Sequence, residues 1–219
     1  LSIAKNKTIA FVGESGSGKT TLVNLLAGLM PVDEGSIHVD GTRYRDLDLR
    51  TLQKKIGYIT QDPVVFSDSV YNNITKWAPQ TKENVARFWN ALEQASIADF
   101  VRQLPEGERS SLGNNGIQVS GGQKQRLSIA RELYKEVEIL IMDEATSALD
   151  SETERAIQEN IHALKGKYTI LIVAHRLSTI KEADEIFLMS KGEVLASGSF
   201  EDLVNKSESF KRMTEMQEI

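Results

Sequence analysis

The feature that most constrains this chain is a glycine-rich segment at residues 13–20, which reads GESGSGKT. It fits the pattern G-x-x-x-x-G-K-S/T, whose glycines let successive backbone N–H groups face one phosphate. An apolar stretch at residues 9–12 precedes the segment, and leucine and valine recur at helical spacing after it. This order of strand, loop and helix favours a P-loop over an ordinary glycine-rich turn, and it predicts binding of a nucleoside triphosphate.

The P-loop pattern also assigns roles to individual side chains. Lys19 is expected to reach the β- and γ-phosphates, and the Thr20 hydroxyl is expected to ligate Mg²⁺. The loop residues predicted to contact the nucleotide are Gly13, Ser15, Gly16, Ser17, Gly18, Lys19, Thr20 and Thr21.

Length and composition exclude several classes of function. A chain of 219 residues can form one large domain, or a core with a subdomain. The net charge of −5 argues against nucleic acid as the main partner, and the absence of cysteine excludes disulfides and thiolate metal sites. No apolar run approaches the roughly twenty residues that span a bilayer, and no signal peptide is visible. The first residue is Leu1 rather than Met, so we expect this to be a piece of a longer polypeptide.

Hydrophobic periodicity predicts an α/β chain. Strands are predicted at residues 9–12, 36–39, 56–60, 139–142 and 169–174, and a hairpin at 186–196. Most of residues 62–134 is expected to be helical, and Ser120-Gly121-Gly122 should open a helix. Ser96 with Asp99, and Ser199 with Asp202, resemble helix capping boxes.

Polar residues follow four of the predicted strands at the point where each strand ends. They are the segment from Gly13, Gln61, the pair Asp143-Glu144, and His175. In a doubly wound parallel sheet these ends lie along one edge, so the four would converge on the phosphates.

Phosphoryl transfer needs mainly positioning and neutralisation of charge, which these residue types can supply. Asp143 is placed to hold Mg²⁺, with Thr20 and Gln61 as the other expected metal contacts. Glu144 is placed to orient or deprotonate the attacking water. Gln61 can reach both metal and water, and His175 can contact the γ-phosphate, so Glu144, His175 and Gln61 are the predicted catalytic residues.

Three motifs together resemble the nucleotide-binding domains of ABC transporters, and the resemblance covers essentially the whole chain. Residues 119–123, VSGGQ, match the family signature, usually written LSGGQ. Residues 143–150, DEATSALD, look like its Walker B motif and D-loop, and residues 174–178, AHRLS, like its switch histidine. The signature matters most, because a P-loop alone occurs in many unrelated NTPases.

The resemblance implies an α/β fold: a P-loop NTPase, RecA-like core with a small antiparallel β-subdomain and an inserted α-helical subdomain. The core and β-subdomain would comprise residues 1–61 and 135–219, and the helical subdomain residues 62–134. It further implies binding and hydrolysis of ATP with Mg²⁺.

The resemblance also implies how two copies of the domain cooperate. In the family, two such domains pair head to tail, and Ser120 and Gly122 of one would cap the γ-phosphate held by the P-loop of the other. A helix opened by these residues is a second anion site, which gives the arrangement a physical basis. The residues assigned to this part of the nucleotide site are Ser120, Gly121, Gly122, Gln123 and, at the interface, Asp150.

Exporters are the subtype that the sequence favours. Segments like those of the exporter Q-loop region occur at 61–62, 66, 69–70 and 73–74, and the LSTI run after the histidine agrees with them. Exporter domains usually follow a membrane domain in one polypeptide. This implies a fused transmembrane partner and a place on the cytoplasmic face of a membrane, although the fragment itself is expected to be soluble.

Two departures from the family pattern stand out. The aromatic residue that stacks on adenine would lie upstream of Leu1, and Asn114 stands where exporters commonly carry a glutamate. The second departure leaves hydrolysis credible but affects the loop that usually touches the membrane domain.

Three alternative functions fit the sequence less well. A soluble ABC-type ATPase acting on DNA or ribosomes would need a long coiled-coil insertion or tandem domains with basic linkers, and neither is present. A nucleotide sensor without turnover has no need of Glu144 and His175. A nucleoside or sugar kinase has no need of the signature at residues 119–123.

Overall fold

The computed structural model describes residues 1–60, 62–113, 117–143, 158–159, 161–174 and 177–215. These residues form two compact units. The first comprises Leu1–Tyr58, Glu138–Glu144 and Lys165–Ile219, and the second Ile59–Val137 and Ala145–Leu164, each as far as it is described.

A six-stranded sheet and a two-stranded sheet organise the first unit. The strands are β1 (Thr8–Val12), β2 (His38–Val39), β3 (Thr42–Arg43), β4 (Ile56–Ile59), β5 (Ile139–Asp143), β6 (Thr169–Val173), β7 (Glu185–Ser190) and β8 (Glu193–Gly198). The large sheet has the order β4-β5-β6-β1-β7-β8, and β2 pairs with β3. Strands β5, β6, β1 and β7 run parallel, and β8 is antiparallel to β7. The predicted α/β fold, with a mainly parallel sheet and a small antiparallel one, is confirmed.

Strand register places the ends of β1 and β5 at the same edge of the sheet. Phe11 on β1 and Asp143 on β5 both pair with Val173 of the intervening strand β6. The loop that begins at Gly13 therefore leaves the sheet close to Asp143. The predicted convergence is thus seen for the ends of β1 and β5.

Burial explains why these strands read as continuous apolar runs. All five residues of β1 and all five of β6 are buried, as expected for strands covered on both faces. Phe11 stacks on Phe187 of β7, with 5.7 Å between ring centroids. The core formed around them includes Val23 of the following helix and Leu171.

Tight turns close both antiparallel pairs. Lys191 and Gly192 between β7 and β8 have φ values of 50° and 84°, and Asp40 and Gly41 between β2 and β3 have 49° and 82°. Two consecutive positive φ values match the twist of antiparallel strands, and glycine at the second position accepts them readily. The predicted hairpin at residues 186–196 is confirmed.

The first unit also carries helices α1 (Lys19–Leu26), α2 (Leu49–Lys54), Leu177–Lys181, Phe200–Lys206 and Glu208–Glu215. Ser199 caps Phe200–Lys206 by accepting a hydrogen bond from the Asp202 N–H at 3.2 Å, as predicted. The described residues include no helix long and apolar enough to cross a membrane.

Helices dominate the second unit: α3 (Val70–Thr75), α4 (Lys82–Gln94), α5 (Ala98–Gln103) and α6 (Gly121–Leu133). Tyr71 and Phe88 pack across α3 and α4, with ring centroids 5.2 Å apart. The buried guanidinium of Arg131 on α6 donates to the carbonyl oxygens of Asn73 at 2.7 Å and Val64 at 2.8 Å. These bonds tie α3 and the irregular segment before it to α6.

The predicted capping box at Ser96 and Asp99 is wrong. Helix α5 begins after Ile97 and has no side-chain cap. Ser96 instead has a φ of 53° and terminates α4: its N–H donates to Glu93 O, and the Ile97 N–H donates to Leu92 O. This pair of bonds is a Schellman motif, so the C-terminal cap of α4 takes the serine that the pattern assigned to α5.

Replacing Phe88 by alanine tests the packing of the second unit. Phe88 is fully buried, so Phe88→Ala should lower the free energy of unfolding by about 3–5 kcal/mol. Asn90→Ala changes an exposed position of the same helix, and its effect should stay within about 0.5 kcal/mol. Urea denaturation of both variants measures the difference, and equal stabilities would contradict the packing described.

Candidate nucleotide-binding site

Close packing requires glycine at the start of the loop between β1 and α1. A Cβ on Gly13 would lie 2.2 Å from the carbonyl oxygen of Met189, and the φ of Gly13 is 148°. Gly16 and Gly18 also have positive φ values, 77° and 97°, and Gly18 is the N-cap of α1. Three of the loop's glycines therefore hold backbone conformations that other residues rarely adopt.

Lys19 places a positive charge inside this loop. Its side chain is 5% exposed, and its Nζ donates to the carbonyl oxygens of Gly13 and Glu14, both at 2.9 Å. The Ser17 hydroxyl lies 3.4 Å from the same nitrogen. The ammonium group is thus held by the backbone that the P-loop pattern predicts will surround phosphates.

Backbone hydrogen bonds fix the rest of the loop. The Ser17 N–H donates to Glu14 O at 3.1 Å, and the Gly192 N–H in the β7–β8 turn donates to Ser17 O at 3.0 Å. Ser15, Gly16, Thr20 and Thr21 are exposed. The structure therefore offers a ligand the middle of the loop and the first turn of α1.

Thr20 and Asp143, which the sequence assigns to the metal, lie in contact. The Thr20 hydroxyl donates to Asp143 Oδ1 at 3.1 Å, although 123 positions separate the two in the chain. A carboxylate and a hydroxyl are hard oxygen ligands of the kind that Mg²⁺ prefers.

Mg²⁺ fits this pair of residues. The described residues contain no group of three or more His, Cys, Asp or Glu side chains that could hold a metal ion. Mg²⁺ commonly binds through only one or two carboxylates together with substrate phosphates and water, so a fuller protein cage is not required.

Two residues that sequence reasoning missed complete the surroundings of Asp143. The Tyr58 hydroxyl on β4 donates to Asp143 Oδ2 at 2.9 Å and lies 3.0 Å from Oδ1 of Asn24 on α1. Burial, with the neighbouring Asp143 carboxylate, raises the pKa of Tyr58, so its hydroxyl keeps a proton to donate at neutral pH. The available sequence indications were a tyrosine within an otherwise apolar strand and an asparagine one helical turn after Thr20.

The signature segment opens α6, as predicted. Ser120 is the exposed N-cap: its hydroxyl accepts from the Gln123 N–H at 3.3 Å, and the Gln123 side chain accepts from the Ser120 N–H at 2.9 Å. The first N–H groups of a helix have no partner within it, so this terminus favours an anion.

Several assigned residues lie outside the described part of the chain. They are Gln61, Asn114, Glu144, Asp150 and His175. Their roles stay predictions from the sequence.

Comparisons with known proteins decide the family. The ABC transporter family matches residues 1–147, two thirds of the chain. The chain belongs to the ABC transporter family. The resemblance drawn from residues 119–123, 143–150 and 174–178 is therefore confirmed.

Relatives of this ABC domain include proteins named ATP-dependent lipid A-core flippase. The flippase of Ralstonia nicotianae is 44% identical over 207 residues, which cover 94% of this chain and 35% of the flippase. That of Vibrio cholerae serotype O1 is 41% identical over 217 residues, covering 99% and 37%. The chain thus spans little more than a third of the length of these relatives.

A solved structure agrees with this placement. A bacterial Atm1-family ABC exporter with ATP bound superposes with a TM-score of 0.85 at 36% identity, over 99% of this chain and 38% of that chain. The chain is an ATP-binding domain of the ABC exporter type, in a family of ATPases, and a soluble ATPase without a transport partner is not favoured.

Gly13→Ala tests the close approach at the start of the loop. Left-handed strain plus overpacking against Met189 O should lower the free energy of unfolding by about 2–5 kcal/mol. Gly41→Ala is the control, because Gly41 has a φ of 82° and no atom within 4 Å of an added Cβ. It should lose only about 1 kcal/mol, and equal losses by denaturant unfolding would rule out the clash.

Proposed function

We propose that the chain binds MgATP in the loop at residues 13–21, hydrolyses it in a pair of identical or similar domains, and thereby powers export of a substrate across a membrane. The observation that carries this proposal is the buried Lys19 ammonium in the loop, one residue before a threonine that contacts Asp143. Together they gather one cation and two metal-type oxygens at the end of β1.

The described residues account for binding and orientation. Loop N–H groups and Lys19 would hold the phosphates, and Thr20 with Asp143 would hold Mg²⁺. Bound Mg²⁺ draws charge from the phosphate oxygens. Glu144 is proposed to orient or deprotonate the attacking water, with Gln61 and His175 beside it, because these residues match the family motifs.

A second copy is proposed to complete each site. Ser120 is exposed at the start of a 13-residue helix, in the helical subdomain proposed for residues 62–134. This N-terminus can face the γ-phosphate held by the P-loop of a partner, with Gly121, Gly122 and Gln123 in the same turn and Asp150 at the interface. ATP would then hold the pair together, and hydrolysis would release it.

The rest of the proposed machine lies outside these 219 residues. Because the relatives are almost three times as long as the matched region, we propose a transmembrane domain fused in the same polypeptide, with this domain on the cytoplasmic face. The names of the relatives support a lipid-like amphipathic substrate. The membrane domain would select it.

Removing the loop cation tests ATP binding and turnover. In Lys19→Ala, the phosphates lose their buried positive partner, and phosphate release should fall about 100-fold or more. Lys211→Ala, at an exposed position on Glu208–Glu215, is the charge-matched control and should keep its turnover. Unchanged phosphate release by Lys19→Ala would contradict the assigned site.

A complementation experiment tests whether the site is shared between copies. Lys19→Ala removes the positive charge of the P-loop, and Ser120→Glu places a negative charge where the signature would face the phosphate. In a head-to-tail heterodimer of the two variants, one site combines an intact P-loop with an intact signature. Differently tagged copies of the whole protein are co-expressed, purified as heterodimers and loaded with a non-hydrolysable ATP analogue. They should retain about one analogue per dimer after gel filtration, against about two for wild type.

The two variant homodimers serve as controls and should retain no nucleotide. If P-loop and signature of the same copy formed one site, the heterodimer would be as empty as the homodimers. That result would exclude the head-to-tail arrangement.

A further inference from the structure

A network of three hydrogen bonds links four side chains at the end of the sheet. Thr20 and Asn24 lie one turn apart on α1, Tyr58 lies on β4, and Asp143 ends β5. Thr20 contacts Asp143 Oδ1 at 3.1 Å, and Tyr58 contacts Asp143 Oδ2 at 2.9 Å. Asn24 lies 3.0 Å from the Tyr58 hydroxyl and ends the network on that side.

The network gives each oxygen of Asp143 its own donor. Tyr58 has a single proton, which it can give to Asp143 or to Asn24 but not to both. Asparagine oxygen and nitrogen are assigned from hydrogen bonding, so an Asn24 amide turned to donate to Tyr58 satisfies every member. Tyr58 then donates to Oδ2, and Thr20 donates to Oδ1.

Holding Oδ2 matters because a carboxylate turns easily. The last torsion of an aspartate is broad and roughly two-fold, so a carboxylate bonded at one oxygen can swing. Bonded at both, Asp143 presents Oδ1 at the Thr20 hydroxyl in a fixed direction. Groups that orient metal ligands typically change metal affinity or activity by about 10–100-fold when they are removed.

We propose that Tyr58 is a positioning residue for the magnesium site: its hydroxyl locks the Asp143 carboxylate so that Oδ1 stays beside Thr20. This rests on the proposed function, which assigns Thr20 and Asp143 to Mg²⁺. Phenylalanine would fill the same space in β4 but could not donate this hydrogen bond. The hydroxyl is therefore the part of Tyr58 that fixes Asp143.

Tyr58→Phe removes only that hydroxyl. The whole protein is titrated with Mg²⁺ while binding of a fluorescent ATP analogue is measured, and binding is also measured in EDTA. The half-saturating Mg²⁺ concentration should rise about tenfold, whereas binding in EDTA should change less than about twofold, since the loop and Lys19 are untouched. At limiting Mg²⁺ the apparent KM should rise, with kcat recovering at saturating Mg²⁺.

Tyr44→Phe is the matched control. The Tyr44 hydroxyl is also part-buried and also bonds α1, but it donates to the Leu26 carbonyl at the far end of the helix. This variant loses the same kind of group, a tyrosine hydroxyl that bonds to α1, without touching Asp143. Its thermal stability is compared with that of Tyr58→Phe, and its Mg²⁺ titration should match wild type.

Two results overturn the proposal. One is a Tyr58→Phe protein whose Mg²⁺ titration matches that of Tyr44→Phe, which would leave the hydroxyl a purely structural role. The other concerns Asn24→Ala, which removes the hydrogen-bond partner behind the Tyr58 hydroxyl and keeps the test available if Tyr58→Phe fails to fold. Its half-saturating Mg²⁺ concentration should rise about threefold, and no rise contradicts the proposal. A wild type without any Mg²⁺ dependence would instead refute the proposed metal site itself.

Discussion

The burial of β1 between β6 and β7 is the constraint on which the rest of the site depends. A central parallel strand has neighbours on both sides and layers on both faces, so its chain can leave only at its end. It leaves through Gly13, packed so closely on the Met189 carbonyl that a side chain cannot fit. That contact, with the bond from Gly192 to Ser17, anchors the loop to the sheet. The Lys19 ammonium group donates hydrogen bonds to the backbone of this anchored loop.

Asp143 shows how the sheet turns distance along the chain into contact. Its register on β6 matches that of Phe11, so the end of β5 and the start of the loop meet although more than a hundred residues separate them. One carboxylate oxygen accepts a hydrogen bond from Thr20, and the other accepts one from Tyr58. A single carboxylate held from two sides can present an oxygen to a hard cation in a fixed direction. Mg²⁺ needs ligands in fixed directions, because its octahedral coordination tolerates little distortion.

The role proposed for the exposed helix terminus at Ser120 depends on membership of the ABC transporter family. An N-cap serine with a reciprocal glutamine is a common way to start a helix, and nothing in that geometry alone requires a ligand. In a family of transporters, the same terminus is proposed to face a partner's nucleotide. Hydrolysis could then power transport, because the shared ATP would hold the two domains together only while it is intact.

The sequence by itself determined the loop, the strand ends and the family. A pattern of glycines, lysine and threonine has few structural solutions, and apolar runs ending in carboxylates mark buried strands, so roles could be predicted for Lys19, Thr20 and Asp143 from spacing. The role predicted for Ser120 came from the resemblance of residues 119–123 to the family signature. Only the tertiary structure decided what faces Asp143 from other elements and which helix uses Ser96. Tyr58 and Asn24 join the site through strand order and register, which a linear pattern does not record. Ser96 fits two caps locally, and the packing of α4 selects one of them. Local motifs can therefore be identified from the sequence alone, whereas contacts between elements exist only once the sheet has formed.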